Sequence, residues 1–364
     1  MTQRAIPCVV MRGGTSKGLY FLAKDLPRDR NTRDAVLLAA MGSPDQRQID
    51  GMGGAHPLTS KVAIVGNATR NDADVDYLFL QVVVDAADVR DNQNCGNLLA
   101  GIGAFAIEQG LISAAEGETL VRIHMVNTGS IAVARIRTPG GIVDFEGDAR
   151  IDGVPGTAAP VTLDFLDVAG SACGALLPTG KTSEVVNGIE VTCIDNGMPV
   201  VILRAADFGK TGTETPEQLE ADRQLKERIE AIRLAVGARM NLSDVATKTV
   251  PKMCLVAPPN AGGVIATRTF IPHRVHDSIG VLGAATVAAA CLLPGSVAQQ
   301  ITGLAATSGT RRLDIEHPTG FLTVELEVEV EGGDVRLVRT ALLRTARKLM
   351  QGLVYVPHAA WSES

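Results

Sequence analysis

The chain has 364 residues, 46% hydrophobic and 20% charged, which excludes a disordered polymer and leaves room for two domains. Its formal net charge is −6, from 34 Lys and Arg against 40 Asp and Glu, which argues against nucleic acid as a partner. Aromatic residues make up only 3%, while 38 residues are glycine, pointing to cores of Val, Leu, Ile and Ala joined by tight turns.

In chain order, the first predicted strand is IPCVVM (6–11), which runs into MRGGTSKGLYF (11–21). Gly13 and Gly14 interrupt the opening stretch before it can form the apolar centre of a signal peptide. A helix is expected over RDAVLLAAMG (33–42), then strands over KVAIVG (61–66) and VDYLFLQVVV (75–84). GNLLAGIGAFAIEQG (96–110) reads as an apolar helix, followed by strands VRIHMVN (121–127) and IAVARIRT (131–138). A linker is placed near 183, giving domains 1–183 and 184–364, with a C-terminal return to the first domain left open. The second half opens with strands GIEVTCID and PVVILRA. It continues with one amphipathic helix over 215–237, whose apolar face carries Leu219, Leu225, Ile229, Ile232, Leu234 and Val236. Pro216 suits the first turn of that helix. Strands KMCLVA and GVIATRTF follow. IGVLGAATVAAACLLPG (279–295) falls short of the roughly 20 residues of a membrane span and reads as a buried helix.

The two halves repeat an order: helix, strand, extended segment, apolar helix, strand. That order fits duplicated α/β domains, with two central helix N-termini at one cleft suited to an anionic substrate. The six cysteines form no CxxC and no zinc spacing, so reduced thiols and a cytoplasmic setting are expected.

Several clusters carry chemistry. Cys95 sits between Asn94, Gly96 and Asn97 at the predicted start of a helix. It is either an ordinary buried cysteine or a thiol made more acidic by the helix N-terminus, with Gly96 permitting close approach of a ligand. RGGTSK supplies Arg12, Thr15, Ser16 and Lys17 in a glycine turn that either binds an anion or faces solvent; it lacks the P-loop spacing. Lys61 either marks the wet end of its strand or enters a cleft, where burial makes its neutral amine available as a base. His273 and His276 have metal-ligand spacing but no third ligand, so no metal is assigned. No complete GxGxxG follows a strand, so no nicotinamide cofactor is assigned either.

Taken together, MRGGTSKG, GSPDQRQIDGMGG, TSKVAIV, QNCGN and IPHRVHDSIG resemble the PrpF-type isomerases over essentially the whole chain. The resemblance implies the α+β, diaminopimelate-epimerase-like fold: two pseudo-symmetric domains, each a curved mixed sheet around a central helix, with the active cleft between them. It implies Lys61 and Cys95 as the catalytic pair. Arg12, Thr15, Ser16, Lys17, Asn94, Gly96, Asn97, Ser278, Thr319 and Gly320 are implied more loosely as substrate contacts. Epimerases of this fold use two cysteines; here Ser278 stands where the second helix is expected to begin, which argues against racemisation by a cysteine pair. The implied activity is a cofactor-independent proton shift on 4-oxalomesaconate, in the cytoplasmic degradation of gallate-type aromatic compounds. Aconitate or methylaconitate isomerisation is the second reading, and a non-catalytic polycarboxylate-binding protein the third. The implied partner is a small polycarboxylate; neither nucleic acid nor membrane is expected, and a homodimer is compatible.

Overall fold

An unbroken apolar run, Cys8 to Met11, buried on both faces, makes the centre of the first ten-residue strand, and a glycine pair turns it back on itself. In the computed structural model, which describes residues 3–91, 94–165, 168–272, 274–332 and 334–361, this hairpin is β1 (Arg4–Gly13) and β2 (Ser16–Leu22). Helix α1 (Arg30–Met41) begins three residues before the expected start, because Asp29 caps it by accepting from Thr32 N. It leads into β3 (Lys61–Asn67), parallel to β2, and β4 (Val75–Val82) returns antiparallel to β3. The short β5 (Val89–Arg90) precedes α2 (Gly96–Glu108). β6 (Gly117–Met125) then runs parallel to β4, and β7 (Ser130–Thr138) antiparallel to β6. Residues 346–356 pair antiparallel with β1. On one face of the sheet α1 buries Val36 and Leu37 with Val10, Leu19, Phe21, Val62 and Ile64. Helix α2 buries every residue from Leu98 to Ala106, the signature of a helix enclosed on all sides.

The chain divides into two compact units, Met1–Leu163 with Arg344–Ser364, and Asp164–Leu343. The division falls at β8 (Pro160–Phe165), not near 183. The reason is local: the segment after β8 folds back onto the second unit's first long strand. Gly170 N donates to Asp195 O at 2.7 Å, and the Asp195 carboxylate accepts from Ala172 N and Cys173 N at 2.8 Å each.

In the second unit, β9 (Glu184–Val186) and β11 (Pro199–Arg204) both pair antiparallel with β10 (Ile189–Asp195). The single helix expected over 215–237 is two, α3 (Pro216–Ala221) and α4 (Arg223–Gly237). They part at Asp222, which leaves helical geometry (ψ 88°) and caps α4 through Leu225 N. Leu234, expected on the apolar face, is exposed, whereas Leu225, Ile229, Ile232 and Val236 are buried. β12 (Lys252–Ala257) is parallel to β11, and β13 (Ile265–Ile271) antiparallel to β12. After β14 (Arg274–Val275) come the enclosed α5 (Val281–Leu292) and the short α6 (Val297–Thr302). β15 (Gly309–His317) is parallel to β13, and β16 (Gly320–Glu331) antiparallel to β15. β17 (Asp334–Val356) begins against β16 and ends in the first unit. Among the described residues no helix is long and apolar enough to cross a membrane.

Candidate active site

Lys61 is the first residue of β3 and is 7% exposed, so it is not at the wet end of its strand. Strand register sets it directly across from Gln81, and Nζ donates to Gln81 Oε1 at 2.8 Å. Phe79 lies on the same face of β4, its ring centroid 4.9 Å from Nζ, close enough for an ammonium to interact with the ring.

Cys95 is the N-cap of α2, with extended backbone (φ −125°, ψ 97°) and no capping bond from its side chain. Its carbonyl accepts from Leu99 N at 3.1 Å and from Tyr77 Oη at 3.2 Å, and Leu98 O accepts from Tyr20 Oη at 2.7 Å. Burial, with the neighbouring Cys95, pushes both phenols well above their ordinary pKa, so they remain protonated donors to the first turn of α2. That turn has spare N–H groups and the positive end of the helix dipole beside the thiol.

The β1–β2 turn lies on the same helix start. A Cβ on Gly13 would stand 2.4 Å from Asn97 O, and Gly14 is left-handed (φ 50°) with its Cβ position 2.2 Å from Asn97 Oδ1. Only glycine allows so close an approach. Asn97 ties the turn down: Nδ2 donates to Thr15 Oγ1 at 3.1 Å, and Thr15 N donates to Oδ1 at 3.5 Å. Ser16 is buried at 2% exposure, and its Oγ has no hydrogen-bond partner among the described residues. Asn94 Nδ2 donates to Thr128 Oγ1 at 2.5 Å, while its Oδ1 is buried without a partner among the described residues. Unsatisfied buried polar atoms are costly, and two of them beside one helix start suit a polar ligand.

Arg12 and Lys17 stand opposite one another in the hairpin, one residue out of phase with the Gly13–Ser16 pair, so alternation turns them to the other face. Arg12 Nη1 donates to Gly14 O and Thr345 O at 2.9 Å each, bracing the turn. Burial, then Arg347, lowers its pKa from the ordinary guanidinium value.

In the second unit, Ser278 does not begin the helix; Gly280 caps α5 and Val281 starts it. Ser278 N donates to His276 Nδ1 at 2.9 Å, which holds this stretch in a turn. Ser278 Oγ lies 3.1 Å from His317 Nδ1, and Thr319 meets the same nitrogen through N at 3.3 Å and Oγ1 at 3.2 Å. Gly320 opens β16 directly opposite His317. Thus Ser278, Thr319 and Gly320 gather around His317, 9% exposed, a residue the sequence did not single out. Gln81 was missed as well, hidden in an apolar strand. Gln93 and His273 lie outside the described residues.

The family model described as PrpF protein matches residues 3–357. The chain belongs to the PrpF family. This PrpF protein is 62% identical over 351 residues to the (4E)-oxalomesaconate Delta-isomerase of Novosphingobium sp. strain KA1, covering 96% of its own chain and 97% of the relative. It is 59% identical over 363 residues to the 4-oxalomesaconate tautomerase of Pseudomonas putida, covering 99% of each. The crystal structure of a methylitaconate-delta-isomerase superposes with a TM-score of 0.85 at 37% identity, over 100% of this chain and 98% of that one. A hydroxyproline epimerase from Agrobacterium vitis shares the fold alone, with a TM-score of 0.54 at 16% identity over 97% and 93% of the two chains. The PrpF protein is therefore an isomerase with an epimerase-related α+β fold of mixed sheets.

Proposed function

We propose that this isomerase catalyses the proton shift that interconverts forms of 4-oxalomesaconate in the degradation of aromatic compounds. The observation that carries the reading is the 62% and 59% identity, over nearly the whole chain, to two proteins named for that substrate. The local chemistry agrees. A carbon next to a keto group and conjugated carboxylates is acidic, because the charge left by proton removal spreads over oxygen. One of Lys61 and Cys95 takes the proton, and the other delivers one to a separated carbon; a positioned acid–base pair suffices without metal or redox cofactor. In this reading the N–H groups at the start of α2, from Gly96 onward, and the Ser16 hydroxyl, which has no partner among the described residues, stabilise negative charge on the intermediate. Asn94 offers its Oδ1, which has no partner among the described residues, and Asn97 and Thr15 shape the turn around the substrate. We assign Ser278, Thr319 and Gly320 to a second set of carboxylate contacts.

The two units are, in this reading, pseudo-symmetric copies of one design. β1–β2–β3–β4–α2–β6–β7 and β10–β11–β12–β13–α5–β15–β16 repeat the same sequence of parallel and antiparallel pairings, which supports it. Six unpaired cysteines support a cytoplasmic setting, and a homodimer is compatible with the reading.

Likeness to the methylitaconate-delta-isomerase structure favours a second reading, a double-bond shift in a smaller polycarboxylate. Measuring kcat/KM for 4-oxalomesaconate, cis- and trans-aconitate and methylaconitate separates the two. The highest value is expected for 4-oxalomesaconate; a higher value for an aconitate moves the assignment to the second reading.

A further inference from the structure

Gln81 lies in an apolar strand, yet every polar atom of its side chain is engaged. Its amide nitrogen donates to Pro57 O and Ser60 O at 3.0 Å each and to Val82 O at 3.3 Å. Only the nitrogen end of an amide can donate to carbonyls, so these bonds fix the orientation and turn Oε1 toward Lys61 Nζ, 2.8 Å away. The loop providing two of those carbonyls is itself tied down. Ser60 Oγ donates to Gln48 Oε1 at 2.7 Å and to His56 O at 2.9 Å, and Gln48, 1% exposed, also accepts from Ala55 N at 2.8 Å.

We propose that Gln81 is the positioning residue for proton transfer at Lys61, an inference that rests on Lys61 being one member of the acid–base pair. A carboxylate in this place would bind the ammonium strongly and hold its proton. The amide is neutral and accepts a hydrogen bond from both ammonium and amine, more strongly from the ammonium, so it keeps Nζ in one place through both halves of a proton-transfer cycle. When the amine donates one N–H to Oε1, its lone pair remains available for the substrate proton; the ammonium that results keeps the same anchor and can give a proton up. Anchoring also fixes the end of a long flexible side chain, which shortens the search for the reactive geometry.

The test uses full-length Gln81→Met, Gln81→Glu and Lys61→Met, with kcat and KM for 4-oxalomesaconate measured across the neutral and alkaline range. Gln81→Met is expected to lower kcat about tenfold or more, with KM within about twofold, since positioning acts on the reacting state. It removes an acceptor that favours the ammonium, so the proton-transfer limb of the kcat profile moves to lower pH. Gln81→Glu adds a negative charge and moves that limb the opposite way, by about one unit. Opposite displacements are something that loss of a loop tether alone does not produce. A limb unmoved in both variants overturns the proposal, leaving Gln81 as a brace for residues 57–60. If Gln81→Met fails to fold, the direction of the Gln81→Glu displacement decides alone. Undiminished kcat in Lys61→Met is a different result: it removes the assignment of Lys61 and this proposal with it.

Discussion

At the first turn of α2 the residue choice is itself informative. An N-cap is best filled by Ser, Thr, Asp or Asn, whose oxygen satisfies a spare N–H, yet here Cys95 caps nothing. Stability alone would favour serine, which accords with the acid–base role proposed for the thiol. Cys95→Ser is accordingly expected to lower kcat by about 100-fold or more, because a hydroxyl is a far weaker acid than a thiol. Its melting temperature is expected to stay level or rise, since serine can make the missing cap, worth about 1 kcal/mol. Near-wild-type turnover would remove Cys95 from the acid–base pair, and a lower melting temperature would remove the capping argument. As candidates for the proposed pair, Lys61 and Cys95 stood out because each sits in a polar motif against an apolar element. Gln81 and His317 were not. A glutamine in VDYLFLQVVV reads as the solvent side of a strand, and a histidine before Pro318 and Thr319 reads as a turn residue. Only the cross-strand register and the fold of the β15–β16 turn show what they touch.

Among the elements, the β1–β2 hairpin matters most, because its turn lies directly on α2. Gly13 is required there by space and not by left-handed geometry, as the atom a side chain would strike is the backbone oxygen of Asn97. Gly13→Ala must push the turn away from the helix. It is expected to cost about 1–3 kcal/mol of stability, read by denaturant unfolding, and to lower activity together with it. Wild-type stability and turnover in this variant would show that turn and helix start are not rigidly joined. Strands were legible from alternation and β-branching, and both enclosed helices from their unbroken apolar runs. The break at Asp222 was hidden because helical spacing continues through α3 and α4 and the capping aspartate looks like one more surface charge. The start of α5 was misplaced by two or three residues because His276 and Ser278 form a turn of their own before Gly280.

For the molecule as a whole, the repeated order of elements was readable, but the division at Leu163/Asp164 was not. A linker is expected near 183, whereas the chain just after β8 is held by Asp195 through Gly170, Ala172 and Cys173. Family membership rests on motifs spread over the whole chain, and the assigned chemistry rests on two of them, at Lys61 and Cys95. In the proposed reaction two groups handle two protons: the one removed from carbon can exchange with solvent, and the one delivered comes from a different residue. Proton NMR of 4-oxalomesaconate turned over in deuterated buffer tests this most directly. Solvent deuterium is expected at the newly protonated carbon of the product, with its incorporation lost in both Lys61→Met and Cys95→Ser. Product formed at the wild-type rate with no deuterium at that carbon would contradict the two-residue account.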